Sequence, residues 1–317
     1  MTTDPQPSDP RRRDFLRQVA AFAAGALLVP PLLDLDAVAA EAGPPTPDAR
    51  PVLGVATGTD WSALPVTAMA ALGGMQAFVK PGSTVVVKPN IGWDRTPEQG
   101  ANTHPLVVAS VVRMCLTAGA KTVRVFDRTC NNRDKCYANS GIRAAVEAIA
   151  DPRVQLTFPD DRKAIPVRIA QGKLITEWSL YREALECDHY INVPVAKHHG
   201  LSRLTLGIKN IMGIMAGNRG SIHQGIHQKL ADIYRARPAT LTILDATRIL
   251  LRNGPQGGKL EDVEVRNTVA ACADPVAIDA WATGLFGLKP ADVGYIASAA
   301  EAGLGIMDLD RVRIVQA

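Results

Sequence analysis

The sequence predicts an α/β fold: a mixed, largely parallel sheet with flanking helices. It is built as one large domain or as two lobes around a cleft. Three observations lead there. Short, unbroken apolar runs such as S-T-V-V-V-K at 83–88 have the length and β-branched content of strands covered on both faces. Capped helical segments separate these runs, which is the βαβ alternation. At 317 residues, with 47% hydrophobic and 21% charged residues, the chain also has enough apolar material for a large core and is not compositionally disordered.

The first 39 residues read as a leader. Arg11-Arg12-Arg13-Asp14-Phe15-Leu16 precedes the apolar stretch Val19 to Leu33 and then Ala37-Val38-Ala39-Ala40. Basic, then apolar, then small is the order of an export signal, and Arg12-Arg13-Asp14-Phe15-Leu16 resembles the twin-arginine pattern R-R-x-F-L. The expected location is periplasmic or otherwise extracytoplasmic, with the twin-arginine translocase as a partner during export. Val19 to Leu33 is short for a membrane span and is broken by Pro30-Pro31, so no stable transmembrane segment is expected once the leader is cleaved. Residues 40–50 form a Pro/Ala-rich linker, and residues 51–317 the folded domain.

Within that domain, the Pro81-Gly82 turn starts the strand Ser83–Lys88. Thr103 caps a helix with Pro105 in its first turn, and Gly119 closes it. Thr122–Phe126 is the next strand and Val154–Phe158 another, and Val167–Ile175 reads as a hairpin turning at Gln171-Gly172. A strand over His189–Ala196, a helix over His223–Arg235 stopped by Pro238, and strands at Leu241–Leu244 and Thr268–Ala273 follow. Asp274 caps a helix that starts at Pro275, and Val312–Val315 closes the sheet.

Ligands collect at the carboxyl ends of strands in open α/β sheets. Those ends carry Lys88 with Asn90, then Asp127-Arg128, then Lys197-His198-His199, then Asp245. Lys209 and Asn210 interrupt a second apolar run, L-G-I-K-N-I-M-G, and a lysine there must be paired, snorkelled or depressed in pKa. Lys88, Lys197 and Lys209 converging would favour a small anionic ligand, a carboxylate or phosphate, and one of them could act as base or nucleophile. His198 and His227 are the proton-transfer candidates, and Asn90, Asn210, His104 and Asp245 the substrate-binding ones. His223 and His227, spaced H-x-x-x-H, would share one helix face and could hold a divalent transition metal.

Several classes are excluded. Gln224 replaces the glutamate that the H-E-x-x-H protease motif requires, and no G-x-S-x-G element marks a serine hydrolase. A net charge of +4 without basic-aromatic interleaving argues against nucleic acid. None of the five cysteines lies in a C-x-x-C arrangement, so an iron–sulfur cluster is not supported. Cys115, Cys187 and Cys272 are expected in the core. Cys130 and Cys136 share a polar loop and are either a disulfide or two free thiols.

The segments V-V-V-K-P-N at 85–90, I-N-V-P-V-A-K-H-H at 191–199, G-I-K-N-I-M-G at 207–213, and the later L-D-A and A-D-P-V-A-I-D resemble the domain-of-unknown-function family 362 over roughly residues 51–300. The matched positions are Lys88, Pro89, Asn90, Lys197, Lys209, Asn210, Gly213, Asp245, Asp274 and Asp279. Many relatives carry ferredoxin-like cysteine clusters, which this chain lacks. Two readings follow: an exported enzyme acting on a small anionic substrate through the Lys/His/Asn cluster, or a non-catalytic periplasmic metal or metabolite binding protein using His223 and His227.

Overall fold

The computed structural model describes residues 50–317 and a two-residue strand at Leu33–Asp34. The twin-arginine motif and the rest of the leader and linker lie outside the described residues. One mixed sheet organises the domain. Its strands are β1 (Val52–Thr57), β2 (Thr84–Pro89), β3 (Thr122–Val125) and β4 (Val154–Leu156). A separate hairpin, β5 (Ile165–Arg168) and β6 (Glu177–Leu180), comes next. The sheet resumes with β7 (His189–Val193), β8 (Val195–His199), β9 (Arg203–Thr205), β10 (Leu241–Leu250), β11 (Val263–Cys272) and β12 (Arg313–Gln316).

The spatial order is β12-β1-β11-β10-β7-β2-β3-β4, with β8 pairing β10 and β9 beside it. The run β10-β7-β2-β3-β4 is parallel throughout, and β11 runs antiparallel to both of its neighbours. The expected mixed, largely parallel sheet is therefore present. Its continuous apolar strands have the physical reason anticipated for them. In β2, Val86 packs into one core while Val85 and Val87 pack into the other, on the opposite sheet face, and all three are fully buried.

Helices α1 (Leu64–Ala70), α2 (Pro105–Thr117), α3 (Arg133–Asn139) and α4 (Ile142–Glu147) supply residues to the core that holds Val85 and Val87. Helices α5 (Arg182–Glu186), α6 (Gly207–Asn210), α7 (Ile226–Ala236), α8 (Pro275–Thr283) and α9 (Gly294–Glu301) build the other. Asp274 caps α8 as expected, accepting from Val276 and Ala277 N–H at 2.9 and 2.8 Å. Among the described residues no helix is long and apolar enough to cross a membrane.

Four local expectations change. The N-cap of α2 is His104 rather than Thr103, whose hydroxyl instead ties Asn90 N–H to Val193 O. The strand expected over 189–196 is two strands divided at Pro194, so Lys197-His198-His199 lies inside β8 rather than beyond a strand end. Asp245 sits in the interior of the ten-residue β10, because that strand extends past the main sheet to pair with β8 and β11. The helix expected to begin at His223 begins at Ile226, since Gly225 adopts φ +78 and interrupts the turn.

Candidate functional site

Lys88 ends β2 almost completely buried, at 1% exposure. Its Nζ lies 2.8 Å from Asp127 Oδ1, 2.7 Å from Asn210 Oδ1 and 2.9 Å from Pro89 O. Three acceptors match the three donors of an ammonium, and one of them is a carboxylate. Burial pushes the lysine pKa down, and Asp127 opposes that push. Asp127 is itself held by Ile91 N–H at 2.6 Å. Asn210 spends its amide on Asn192 Oδ1 at 2.8 Å, so the polar floor of the site is closely cross-linked.

Lys197 and Lys209 differ from this. Lys197 Nζ donates to Asn90 Oδ1 at 3.1 Å and to Ala101 O at 2.5 Å, and no carboxylate among the described residues pairs with it. Two acceptors fit the two N–H bonds of a neutral amine and leave its electron pair unspent. Burial is the main cause that lowers its pKa to about 7; the charges of Lys209 and Lys88 add to it, against the opposing influence of Cys130 and Asp127. Among the described residues Lys209 has a single polar partner, the Met212 thioether at 3.4 Å, although the residue is only 7% exposed. Its pKa falls to about 8, first through burial and then through the charges of Arg219 and Lys88. Here an ammonium is nine-tenths buried with donors unspent.

Two further groups complete the cationic cluster. The guanidinium of Arg219 donates to the carbonyls of Arg128, Thr129 and Met212 and to Cys130 Sγ at 3.2 Å, so it meets oxygen and sulfur but no carboxylate. His199 is held by Leu201 and Ser202 N–H on its Nδ1. Its pKa is pushed down to about 3, chiefly by burial and then by Lys209 and Lys197, so it stays neutral. Strand alternation puts His199 on the face of Lys197 and sends His198 to the other, where its Nδ1 accepts from Gly254 N–H. A cavity of about 570 Å³ lies on the far side of Asp127, lined by Arg128, Phe158 and Tyr181 among others and by none of the three lysines.

The chain segment bearing Lys209 and Asn210 is positioned from below. Asp279 on α8 accepts from Gly207 and Ile208 N–H at 2.7 and 2.9 Å, capping the first turn of α6 from another helix. Gly213 follows, and a Cβ there would stand 1.8 Å from Asp127 Oδ1 and 2.1 Å from Lys88 Cε. Only glycine lets the Lys209-Asn210 segment lie directly over the Lys88–Asp127 pair.

The structure thus joins Lys88, Lys197, Asn90 and Asn210 in one hydrogen-bond network, and brings Lys209 close enough for its charge to act on Lys197 and His199. His104 and Asp245 form a separate bracket. Asp245 Oδ2 accepts from His104 N–H at 2.7 Å, and Oδ1 accepts from the backbone and hydroxyl of Thr247. Trp61 packs edge-on to the His104 ring. His223 and His227 do not share a helix face. His223 closes a 3-10 turn and stacks on His199 with centroids 6.2 Å apart, whereas the His227 ring lies against Gly294 at the start of α9. Among the described residues no group of three histidines, cysteines or acids is arranged to hold a metal. Cys115, Cys187 and Cys272 are buried as expected, and Cys130 and Cys136 are free thiols. The strand-end pattern already includes Asp127 and His199 without giving either a role, whereas nothing local in the sequence marks Arg219, Asn192 or Cys130 as site residues. The period-2 spacing from Lys197 was the available signal for His199.

A family model described as Domain of unknown function (DUF362) matches residues 85–284. The chain belongs to that family. The matched span contains every residue of the lysine network and Asp279 as well. Thylakoid-associated protein sll1697 of Synechocystis sp. is 29% identical over 246 residues, 75% of this chain and 74% of that one. Among solved structures, the lactate racemase apoprotein of Thermoanaerobacterium thermosaccharolyticum overlaps with a TM-score of 0.44 at 14% identity, over 73% of this DUF362 chain and 56% of the racemase. A Thermotoga maritima protein from structural genomics overlaps with a TM-score of 0.39 at 13% identity, over 72% of this chain and 56% of its own.

Proposed function

We propose that this DUF362 protein is an exported enzyme acting on a small carboxylate or phosphate bound in the lysine cluster. The leader sequence supports export. The observation that carries the reading is Lys209: a buried ammonium near the charges of Arg219 and Lys197 whose only polar partner among the described residues is a thioether. Leaving such donors unpaired in a low-dielectric site costs several kcal/mol, and an anion arriving there offsets that cost. Lys209 holds the anion with the Arg219 charge beside it, and Lys197 brings the reactive electron pair. Asn90 and Asn210 fix the geometry. Lys88 and Asp127 form the floor and do no chemistry.

Calorimetric titration with malonate, pyruvate and inorganic phosphate tests this. Binding is expected to take up protons at pH 8–9, because the anion restores charge to Lys209, whose pKa burial had lowered to about 8. Lys209→Met should weaken binding at least about tenfold. Product formation from an array of small carboxylates and phosphate esters, followed by proton NMR, should be lost in Lys197→Met. Equal affinity of wild type and Lys209→Met for every anion would overturn the proposal.

A further inference from the structure

We infer that Lys197 is a covalent nucleophile whose amine condenses with the carbonyl carbon of a small oxo acid, the carboxylate of that acid being held by Lys209. This rests on the reading of Lys209 as the anion grip. Three buried lysines in one cluster have three different hydrogen-bond complements, and the difference assigns their work. Lys88 meets three acceptors, including Asp127, and has nothing left to give. Lys209 has only the Met212 sulfur and is short of acceptors. Lys197 meets two carbonyl oxygens, of Asn90 and Ala101, which orient both N–H bonds and leave one lone pair in a fixed direction. A neutral, oriented, desolvated amine is the state in which a lysine adds to a carbonyl.

The surroundings fit an oxo acid better than a simple carboxylate. Lys209 and Arg219 supply two cationic groups with no carboxylate against either. An oxo acid brings one negative charge and develops a second on its carbonyl oxygen during addition. In the step itself, the Nζ lone pair forms the N–C bond while the C=O π pair passes to oxygen. One amine proton and one proton from solvent leave with that oxygen as water, and the second amine proton stays on nitrogen in the iminium. Its remaining N–H stays on one of the two carbonyl oxygens that held the amine. Burial of Lys197 at 1% exposure keeps bulk water from hydrolysing the adduct.

Reductive trapping tests this. Wild-type protein is incubated with pyruvate or glyoxylate and sodium cyanoborohydride at pH 7, and the modified peptide is mapped by mass spectrometry. One adduct on Lys197 is expected, suppressed by excess malonate. Acetaldehyde, which lacks a carboxylate, should trap at least about tenfold less efficiently. Adduct on Lys209 or on surface lysines with Lys197 unmodified overturns the inference. No adduct together with Lys209-dependent malonate binding defeats the covalent step and leaves the anion site standing. No adduct and no malonate binding defeats both. Because the mapping uses the wild-type chain, the result does not depend on whether Lys197→Arg folds.

Discussion

Lys88 and Lys209 belong to the same buried cationic cluster, at 1% and 7% exposure, yet they solve burial in opposite ways. The first is neutralised by Asp127 and saturated with acceptors. The second has one weak partner. A buried charge with full compensation belongs to the fold, whereas one left uncompensated is held there by the rest of the structure at a cost in stability. The pair teaches that counting acceptors separates structural from functional lysines better than burial or proximity does.

The largest expected break in this comparison is Gly213→Ala. The added methyl would overlap Asp127 Oδ1 and Lys88 Cε, so the Lys209 segment must lift from the floor. Denaturant titration should show a loss of roughly 3 kcal/mol or more, or no folded protein. Next comes Lys88→Met, which strands Asp127 in the interior. A cost of about 3–5 kcal/mol is expected by the same measurement. Lys209→Met should act in the opposite sense and stabilise the ligand-free protein by about 1–2 kcal/mol while anion binding is lost. Equal destabilisation by the Lys88 and Lys209 variants would erase the distinction drawn between them.

Two smaller effects sharpen the picture. Lys197 titrates near pH 7 when folded and near the ordinary lysine value of about 10.4 when unfolded. Across that window the unfolded chain binds the extra proton, so stability should rise with pH, by at most about 1.4 kcal/mol per pH unit from this group. The gain is lost as pH falls toward 7. Lys197→Met should flatten that slope in thermal melts recorded from pH 7 to 10. The smallest effect belongs to His227, whose buried Nδ1 has no hydrogen-bond partner beside α9. His227→Phe should shift stability by no more than about 1 kcal/mol and leave anion affinity unchanged.

Much of the floor was legible along the chain. The V-V-V-K-P-N run announced a buried strand ending in a charge, and K-N inside L-G-I-K-N-I-M-G announced a lysine that needed an explanation. The histidines were read less well. His223 and His227 have helical spacing in sequence, but Gly225 with φ +78 breaks the turn between them, and spacing carries no record of that. His198 is the proton-transfer candidate from the sequence, whereas strand alternation puts His199 on the face of Lys197. Asp245 was placed at a strand end because its local apolar run stops there. In space β10 continues, since β8 and β11 offer it partners beyond the main sheet. Arg219 was invisible as a site residue, because its glycine-rich loop approaches the 127–130 segment only in the folded chain.

The sequence by itself determined the strand and helix alternation, the mixed sheet, the buried cysteines and the three lysines that had to be accounted for. These follow from apolar periodicity and from the free energy of burying charge, both of which are written locally. Only the tertiary structure decided which lysine received a carboxylate, which received two carbonyls and which received almost nothing. Hydrogen-bond partners come from residues about a hundred positions away, such as Asn210 for Lys88 and Asn90 for Lys197, and no local pattern encodes that matching.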